Sequence, residues 1–342
     1  MAGRVPGQQV LEQERGANPE QELLRVEHLS VSFPGREGRR VMVVDDISFD
    51  VRAEETVGLV GESGSGKTVS ALEIMRLGRR PAQVESGEIW FRGENLRTKT
   101  ERELCRIRGR SISMIFQTPR SSLNPLMRVG DQVARVFRVQ RGLSNNEAYE
   151  RAREMLRLVG IPEAERNMRS YPHQLSGGMS QRILIAMMVA CEPALLIADE
   201  PTTGLDVTVQ AQIFELIKQI QQTRRMAMLL ITHDLGVVAE LCQRMVVMYA
   251  GHVMEAGSVD RLFEEPRHPY TRMLLQSLLR ADRKTAVCLP SRTIIEEITY
   301  TNTACRFAPR CPSAMDICHA EKPAVATVEP RHQVMCHLYP AE

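Results

Sequence analysis

The sequence has no strong excess of charge of either sign. Its 44 lysines and arginines nearly balance 42 aspartates and glutamates, so the formal net charge is +2. Nothing in this balance points to nucleic acid or to an acidic membrane surface as a partner. Hydrophobic residues make up 43% and charged residues 25% of the 342 residues, which are ordinary values for a globular protein. That length allows one large domain with an appendage, or two modest domains.

Long hydrophobic runs are missing as well. The longest strongly apolar stretch, Ile183 to Cys191, is far shorter than the roughly 20 residues that cross a bilayer. The N-terminus has no basic start followed by an apolar core, so we expect no secretory signal. Residues 1–21 are polar and rich in Gln, Glu and Gly, which predicts a disordered tail. We therefore expect a cytosolic chain that partner subunits would hold at any membrane where it works.

No internal repeat is found, and the periodicity indicates an α/β fold. Alternating or continuous apolar runs predict strands, and the segment from about 119 to 180 looks helical, with a capping box at Ser144 and Glu147. The strand–helix alternation resumes afterwards and ends near residue 257, before two short helices and a cysteine-rich tail. The predicted strands are 24–33, 41–51, 55–60, 87–91, 111–116, 194–198, 228–232, 244–249 and 253–255, and a helix is predicted over 67–77.

A glycine-rich segment follows the third predicted strand and precedes a helix. It matches the phosphate-loop pattern G-x-x-x-x-G-K-[ST] at every fixed position, in the context that the pattern requires. Backbone N–H groups of such a loop surround phosphates, the lysine reaches the β- and γ-phosphates, and the hydroxyl binds Mg²⁺. The alternative is a chance Gly/Ser turn. The residues of the segment are Gly61, Glu62, Ser63, Gly64, Ser65, Gly66, Lys67 and Thr68.

Two carboxylates end the buried strand predicted at 194–198. Active-site residues of open α/β sheets lie at such carboxyl ends. Asp199 suits the Mg²⁺ shell, and Glu200 suits a base that polarises the attacking water. The alternative is that this acidic pair only caps a helix.

The segment Leu175-Ser-Gly-Gly-Met179 lies just upstream of this acidic pair. Together with the phosphate loop, the combination resembles the ABC-type ATPases over about residues 22–257. That resemblance implies a P-loop NTPase fold with a helical subdomain at about 119–180, ATP and Mg²⁺ as ligands, and head-to-tail pairing of two subunits. In such a pair Ser176, Gly177 and Gly178 serve the ATP bound by the other subunit.

The same resemblance assigns four further residues. His233 corresponds to the switch histidine that contacts the γ-phosphate, and Gln117 to the Q-loop glutamine that senses Mg²⁺ and the water. Asp206 corresponds to the D-loop residue that crosses the dimer interface. Phe33 corresponds to the aromatic residue that stacks on adenine, although an ordinary strand residue is nearly as good an interpretation. A lone histidine at such a position is more often structural.

Several flanking segments narrow the resemblance to the oligopeptide and dipeptide importers, with their nickel and glutathione relatives. They are Phe116–Pro125, Tyr171–Met179, Met248–Gly251 and His268–Thr271. The resemblance implies an ATP-hydrolysing subunit at the cytoplasmic face of the membrane. It also implies a second, related ATPase, two permease subunits and an extracytoplasmic binding protein as partners. The chain departs from the usual residues at Thr118, Arg120, Gln174 and Ser180, and Arg120 and Ser180 are expected to alter contacts with partner subunits.

Four of the eight cysteines crowd the tail. Their spacing matches neither the close pairs of common zinc sites nor the ferredoxin run. It supports only four thiols that could converge, and the alternatives are zinc or reduced structural thiols. The resemblance to the importers' C-terminal extension, over 258–342, favours a [4Fe-4S] cluster at Cys305, Cys311, Cys318 and Cys336.

Two rival classes are a soluble ABC ATPase acting on ribosomes or DNA, and a P-loop small-molecule kinase. The first usually joins two such domains or inserts a long coiled coil, and neither feature is found in this sequence. The second would lack the segment Leu175–Met179 and would not need a second subunit.

Overall fold

The computed structural model describes residues 21–35, 40–78, 80–118, 122–280 and 303–340, with side chains of 277–280 excepted. The predicted disordered tail at 1–21 and the departure at Arg120 therefore lie outside the described residues, apart from Gln21. The strands are β1 (Glu22–Pro34), β2 (Arg40–Arg52), β3 (Thr56–Val60), β4 (Gln83–Phe91), β5 (Glu94–Asn95), β6 (Ile112–Ile115), β7 (Leu195–Asp199), β8 (Ala227–Thr232), β9 (Arg244–Tyr249), β10 (His252–Ser258), β11 (Val325–Glu329) and β12 (His332–Met335).

Helices connect these strands. They are α1 (Lys67–Ile74), α2 (Glu101–Ile107), α3 (Val129–Arg141), α4 (Asn145–Leu158), α5 (Ala164–Asn167), α6 (Gly177–Val189), α7 (Val207–Arg224), α8 (Leu235–Leu241), α9 (Val259–Glu264), α10 (Pro269–Arg280) and α11 (Asp316–Ala320). None of the described helices is long and apolar enough to cross a membrane.

Two sheets organise the described residues. Strands β2, β1, β4 and β5 form an antiparallel sheet in that order. The second sheet has the order β11-β12-β10-β9-β3-β8-β7-β6, and its segment from β9 to β6 is parallel. Strands β3, β6, β7 and β8 are buried along their whole length, as their continuous apolar sequences predict. The fold class is therefore the predicted α/β class.

The segment between β6 and β7 is helical in its described part, as predicted. Helices α3, α4 and α6 pack together, and they bury apolar residues such as Val133, Ala152 and Ile183. The capping box predicted in front of α4 is confirmed, since the Ser144 hydroxyl accepts from the Glu147 N–H and the Glu147 carboxylate accepts from the Ser144 N–H. This helical layer stands at the end of β6 and returns the chain to β7.

The tail contributes to the same large sheet, which its sequence does not predict. Strand β12 pairs antiparallel with β10 through Glu255 and Ala256, and β11 pairs with β12. At the seam, His332 Nε2 lies 2.8 Å from Glu255 Oε1, and both side chains are buried. The Glu255 carboxylate also accepts from the backbone N–H groups of Arg267 and His268. The tail is thus attached by strand pairing and by a buried polar contact.

Candidate functional site

The phosphate loop lies between β3 and α1, as predicted. A Cβ added at Gly61 would lie 2.0 Å from the carbonyl oxygen of Met248, and Gly66 has a left-handed φ of 99°. Only glycine meets both requirements without strain. The close approach to β9 and the tight turn therefore explain both fixed glycines of the pattern. With these glycines the loop leads from β3 into the N-terminus of α1, where N–H groups and the helix dipole favour the binding of an anion.

Lys67 occupies the centre of this loop. Its ammonium group donates to Gly61 O and Glu62 O, both at 2.8 Å, and to Ser65 Oγ at 3.2 Å. Burial lowers the pKa of Lys67, while the carboxylates of Glu200, Asp199 and Glu62 oppose that shift. Its three donors all bond within the loop in this structure, and phosphate oxygens are acceptors to which the same ammonium group can donate. The geometry fits the phosphate-binding role that the sequence predicts.

The predicted Mg²⁺ ligands meet beside the lysine. The hydroxyl of Thr68 donates to Asp199 Oδ1 at 3.1 Å, which brings the start of α1 to the end of β7. Asp199 is buried, and burial raises the pKa of its carboxyl group, while the Thr68 hydrogen bond opposes that shift. A hydroxyl and a carboxylate are hard oxygen donors of the kind that Mg²⁺ prefers. The donor set therefore fits the metal that the sequence predicts.

Glu200 is the meeting point of the predicted catalytic residues. Its Oε2 accepts from Gln117 Nε2 at 2.9 Å and from the hydroxyl of Thr203 at 3.0 Å. Its Oε1 lies 3.3 Å from His233 Nδ1. The structure thus brings together three residues that follow β6, β7 and β8. Thr203 was not among the predicted site residues.

The backbone of Glu200 is itself unusual. Its φ is 43°, in the left-handed region, and its N–H donates to Ile231 O at 2.9 Å. A non-glycine residue held there stores strain, which structures tolerate mainly at functional sites. The hydrogen bond to β8 fixes the turn, and so fixes the carboxylate at the carboxyl edge of the sheet. This arrangement suits a base that acts on water near the phosphate loop.

Ser176 caps α6 in this structure. Its hydroxyl accepts from the Met179 N–H at 3.2 Å, and Ser176 is exposed. Gly177 and Gly178 begin the helix, and a Cβ at Gly178 would lie 2.8 Å from Val209 Cγ1. The segment therefore lies against the start of α7 and presents a capped helix N-terminus outward. Its predicted role toward the ATP of a second subunit stays a prediction.

Asp206 and Phe33 are also placed by the structure. The carboxylate of Asp206 accepts from the Val209 N–H at 3.0 Å and caps α7. Phe33 pairs with Val41 near the end of β1 and is half-buried against the core. Their assigned roles at the dimer interface and the adenine ring stay predictions.

Ser180, one of the departures from the usual residues, lies inside helix α6. It is fully buried, and its hydroxyl donates to Ser176 O at 3.0 Å within the same helix turn. A side chain without exposed surface makes no direct contact with a partner. The hydroxyl of Ser180 bonds within its own helix, and its expected effect on contacts with partner subunits stays a prediction.

The four tail cysteines come into one region. The Cys305 N–H donates to Cys318 O at 2.9 Å, and burial raises the pKa of Cys305 to about 11, with Cys318 and Cys336 adding to that shift. Burial likewise raises the pKa of Cys311 and Cys336. Yet no group of three or more His, Cys, Asp or Glu side chains in the described segments is arranged to hold a metal ion. The geometry therefore does not support the predicted [4Fe-4S] cluster.

Comparisons with known proteins agree with this site. Residues 44–203 match the family described as "ABC transporter", and residues 254–318 match "Oligopeptide/dipeptide transporter, C-terminal region". The chain is 46% identical to the dipeptide transport ATP-binding protein DppD of Escherichia coli K12, over 94% of this chain and 97% of that protein. It is also 46% identical to a putative peptide import ATP-binding protein of Brucella abortus, over 92% and 97% respectively.

Solved structures give the same result. The ATP-binding cassette MJ0796, in a dimeric post-hydrolysis state with ADP and Pi, superposes with a TM-score of 0.62 and 26% identity. The alignment covers 69% of this chain and 99% of that one.

Proposed function

This chain belongs to the ATP-binding subunits of ABC transporters, and we propose that it powers the import of peptides across the cytoplasmic membrane. It is an ATPase, and the observation that supports the reaction is the convergence of Gln117, Glu200 and His233 beside the phosphate loop. Peptide as substrate is supported by the match of residues 254–318 and by the names of the relatives.

The chemistry assigns a role to each group. When bound, Mg²⁺ neutralises phosphate charge. Thr68 and Asp199 would hold the ion, and Lys67 would bind the phosphates. Glu200 accepts a proton from the attacking water, with Gln117 and Thr203 orienting its carboxylate. His233, which lies next to the same carboxylate, would contact the γ-phosphate of bound ATP. These residue roles are part of the proposal.

The pairing of two subunits completes the proposal. The segment Ser176–Gly178 presents an exposed, capped helix N-terminus, which is a good site for a phosphate. In a head-to-tail pair with a related ATPase, this segment would contact the ATP bound by the other subunit. The equivalent segment of the other subunit would contact the ATP bound by this chain. ATP then favours the closed pair and hydrolysis releases it, since only differential affinity drives such a motion. The pair would lie at the cytoplasmic face of the membrane against two transmembrane permease subunits, and an extracytoplasmic binding protein would complete the importer.

Transport tests the proposal directly. The chain is purified with its permease subunits, reconstituted in lipid vesicles with Mg·ATP at the ATPase face, and offered the binding protein with labelled di- or oligopeptides, Ni²⁺ or glutathione. We expect peptide uptake that requires ATP and raises the rate of ATP hydrolysis. Uptake of Ni²⁺ or glutathione alone would change the assigned substrate. Recovery of the chain with ribosomes or DNA, and with no permease, would contradict a transport role.

The [4Fe-4S] cluster is a separate part of the proposal. Its support is the resemblance of the tail to the importer extension, which residues 254–318 match, and not an arrangement of side chains in the described segments. Anaerobic purification is expected to give brown protein containing iron and sulfide. Colourless, metal-free protein would contradict the cluster and leave four reduced thiols.

A further inference from the structure

The second residue of the phosphate loop is held by the tail. Arg310 Nη1 donates to Glu62 Oε2 at 2.8 Å, and Arg310 Nη2 donates to Glu62 Oε1 at 2.9 Å. This is the planar, two-bond pairing that makes arginine–carboxylate contacts specific. The Arg310 side chain is only 4% exposed, so water screens the pair weakly.

Arg310 is in turn fixed by its surroundings. It ends the short 3₁₀ helix Ala308–Arg310, and its N–H donates to Phe307 O at 2.9 Å. Its guanidinium lies 5.4 Å from the centre of the Tyr249 ring and donates to the Tyr249 hydroxyl at 3.2 Å. The guanidinium is therefore placed before any nucleotide arrives.

A second residue beyond β10, Tyr270, forms a hydrogen bond with the backbone of Glu62. The Glu62 N–H donates to the hydroxyl of Tyr270 at 3.0 Å. Tyr270 is fully buried, with its ring 4.7 Å from that of Tyr249 and 5.4 Å from that of Phe307. This aromatic cluster joins α10, β9 and the 3₁₀ turn behind the loop. Both the side chain and the N–H of Glu62 are thus held by residues outside the matched ATPase segment 44–203.

Glu62 leads directly to the phosphate-binding lysine. Its carbonyl oxygen accepts from Lys67 Nζ at 2.8 Å, and its carboxylate is one of the charges that affect the pKa of Lys67. An unpaired carboxylate at this position would repel the phosphates of ATP, and the repulsion would be strong in a partly buried loop. Arg310 neutralises that charge through its two hydrogen bonds.

We propose that Arg310 is a positioning residue for ATP, which acts through Glu62, and that Tyr270 assists it. The tail thereby contributes to the nucleotide site through Glu62. The inference rests on the proposed function, because it concerns the same ATP site. It predicts a weaker affinity for ATP when the pair is broken, with little change in the chemical step.

Kinetics of the full transporter complex test this inference. Arg310→Met removes the charge and keeps most of the length, and it is expected to raise KM for ATP about ten-fold or more with kcat nearly unchanged, the pattern for lost uniform binding. Arg310→Lys should recover part of the loss. Glu62→Gln added to Arg310→Met should lower KM again, because no unpaired carboxylate then faces the phosphates.

A matched control separates this effect from loosening of the tail. Arg331 also belongs to the tail and lies within 3.8 Å of the carboxylates of Asp50 and Glu55, on the body of the protein. Arg331→Ala should therefore leave KM and kcat unchanged. Tyr270→Phe keeps the ring packing and removes only the hydroxyl, and it should also raise KM for ATP. It takes the place of Arg310→Met as the test if that variant does not fold.

The outcomes are distinct. An unchanged KM in folded Arg310→Met, or a double variant no better than the single one, would overturn the inference while leaving the ATPase intact. A wild-type complex without ATP hydrolysis would overturn the proposed function instead.

Discussion

Glu200→Gln is expected to lower the rate of ATP hydrolysis by about 10²–10⁴-fold, the usual contribution of a general base. An amide cannot accept the proton of the attacking water, but its oxygen can still accept from Gln117 and Thr203, so the local structure should persist. ATP should bind normally and hold the paired subunits together. Single-turnover hydrolysis and size-exclusion chromatography with Mg·ATP measure the two effects.

Glu240→Gln is the control for this variant. Glu240 is a surface carboxylate in an ion pair with Lys218, whose Nζ lies 3.2 Å away. The Glu240→Gln variant should hydrolyse ATP at the wild-type rate. If Glu200→Gln also kept the wild-type rate, the assignment of the base would be wrong.

Lys67→Ala is expected to weaken ATP binding itself. The buried ammonium ties Gly61, Glu62 and Ser65 together, and its removal leaves both the phosphates and two loop carbonyls without a donor. Truncating one partner of such a charged, hydrogen-bonded contact costs about 2–5 kcal/mol, or about 30-fold to several thousand-fold in Kd. Titration calorimetry with Mg·ATP measures the loss.

The matched control changes Lys218, a lysine of α7 whose side chain is 34% exposed. Lys218→Ala removes only the surface pair with Glu240 and should leave Kd unchanged. Wild-type affinity in Lys67→Ala would refute the assigned role of the lysine, whatever its effect on the rate.

The residues next to the buried strands were predictable because their sequence context is local. A continuous apolar run such as Leu195–Asp199 indicates a buried parallel strand, and the next residues must then lie at its carboxyl edge. That rule places Asp199 and Glu200 at the edge, whereas Gln117 and His233 were assigned by the resemblance to the ABC-type ATPases. Thr203 could not be found this way, because it reaches the site through the left-handed turn at Glu200. The residue types in this turn do not predict such a conformation.

The tail was predicted less well because its contacts are distant in sequence. Its strands have five and four residues, too short for a periodic pattern. The bond from Arg310 to Glu62 spans 248 positions, and nothing local to either residue indicates it.

The predicted helix over 67–77 ends at Ile74, and the predicted strand over 87–91 begins already at Gln83, where pairing with β1 extends it.

Pairing of β12 with β10 has a consequence for the solubility of the chain. Without the tail, β10 would leave a row of unpaired backbone groups at the end of the large sheet, which is a template for edge-to-edge aggregation. With it, the outermost strand is β11, which is short and ends at Glu329, a residue in ion pairs with Arg261 and Arg267. The tail therefore also acts as an edge cap, so that a chain shortened after β10 would tend to self-associate.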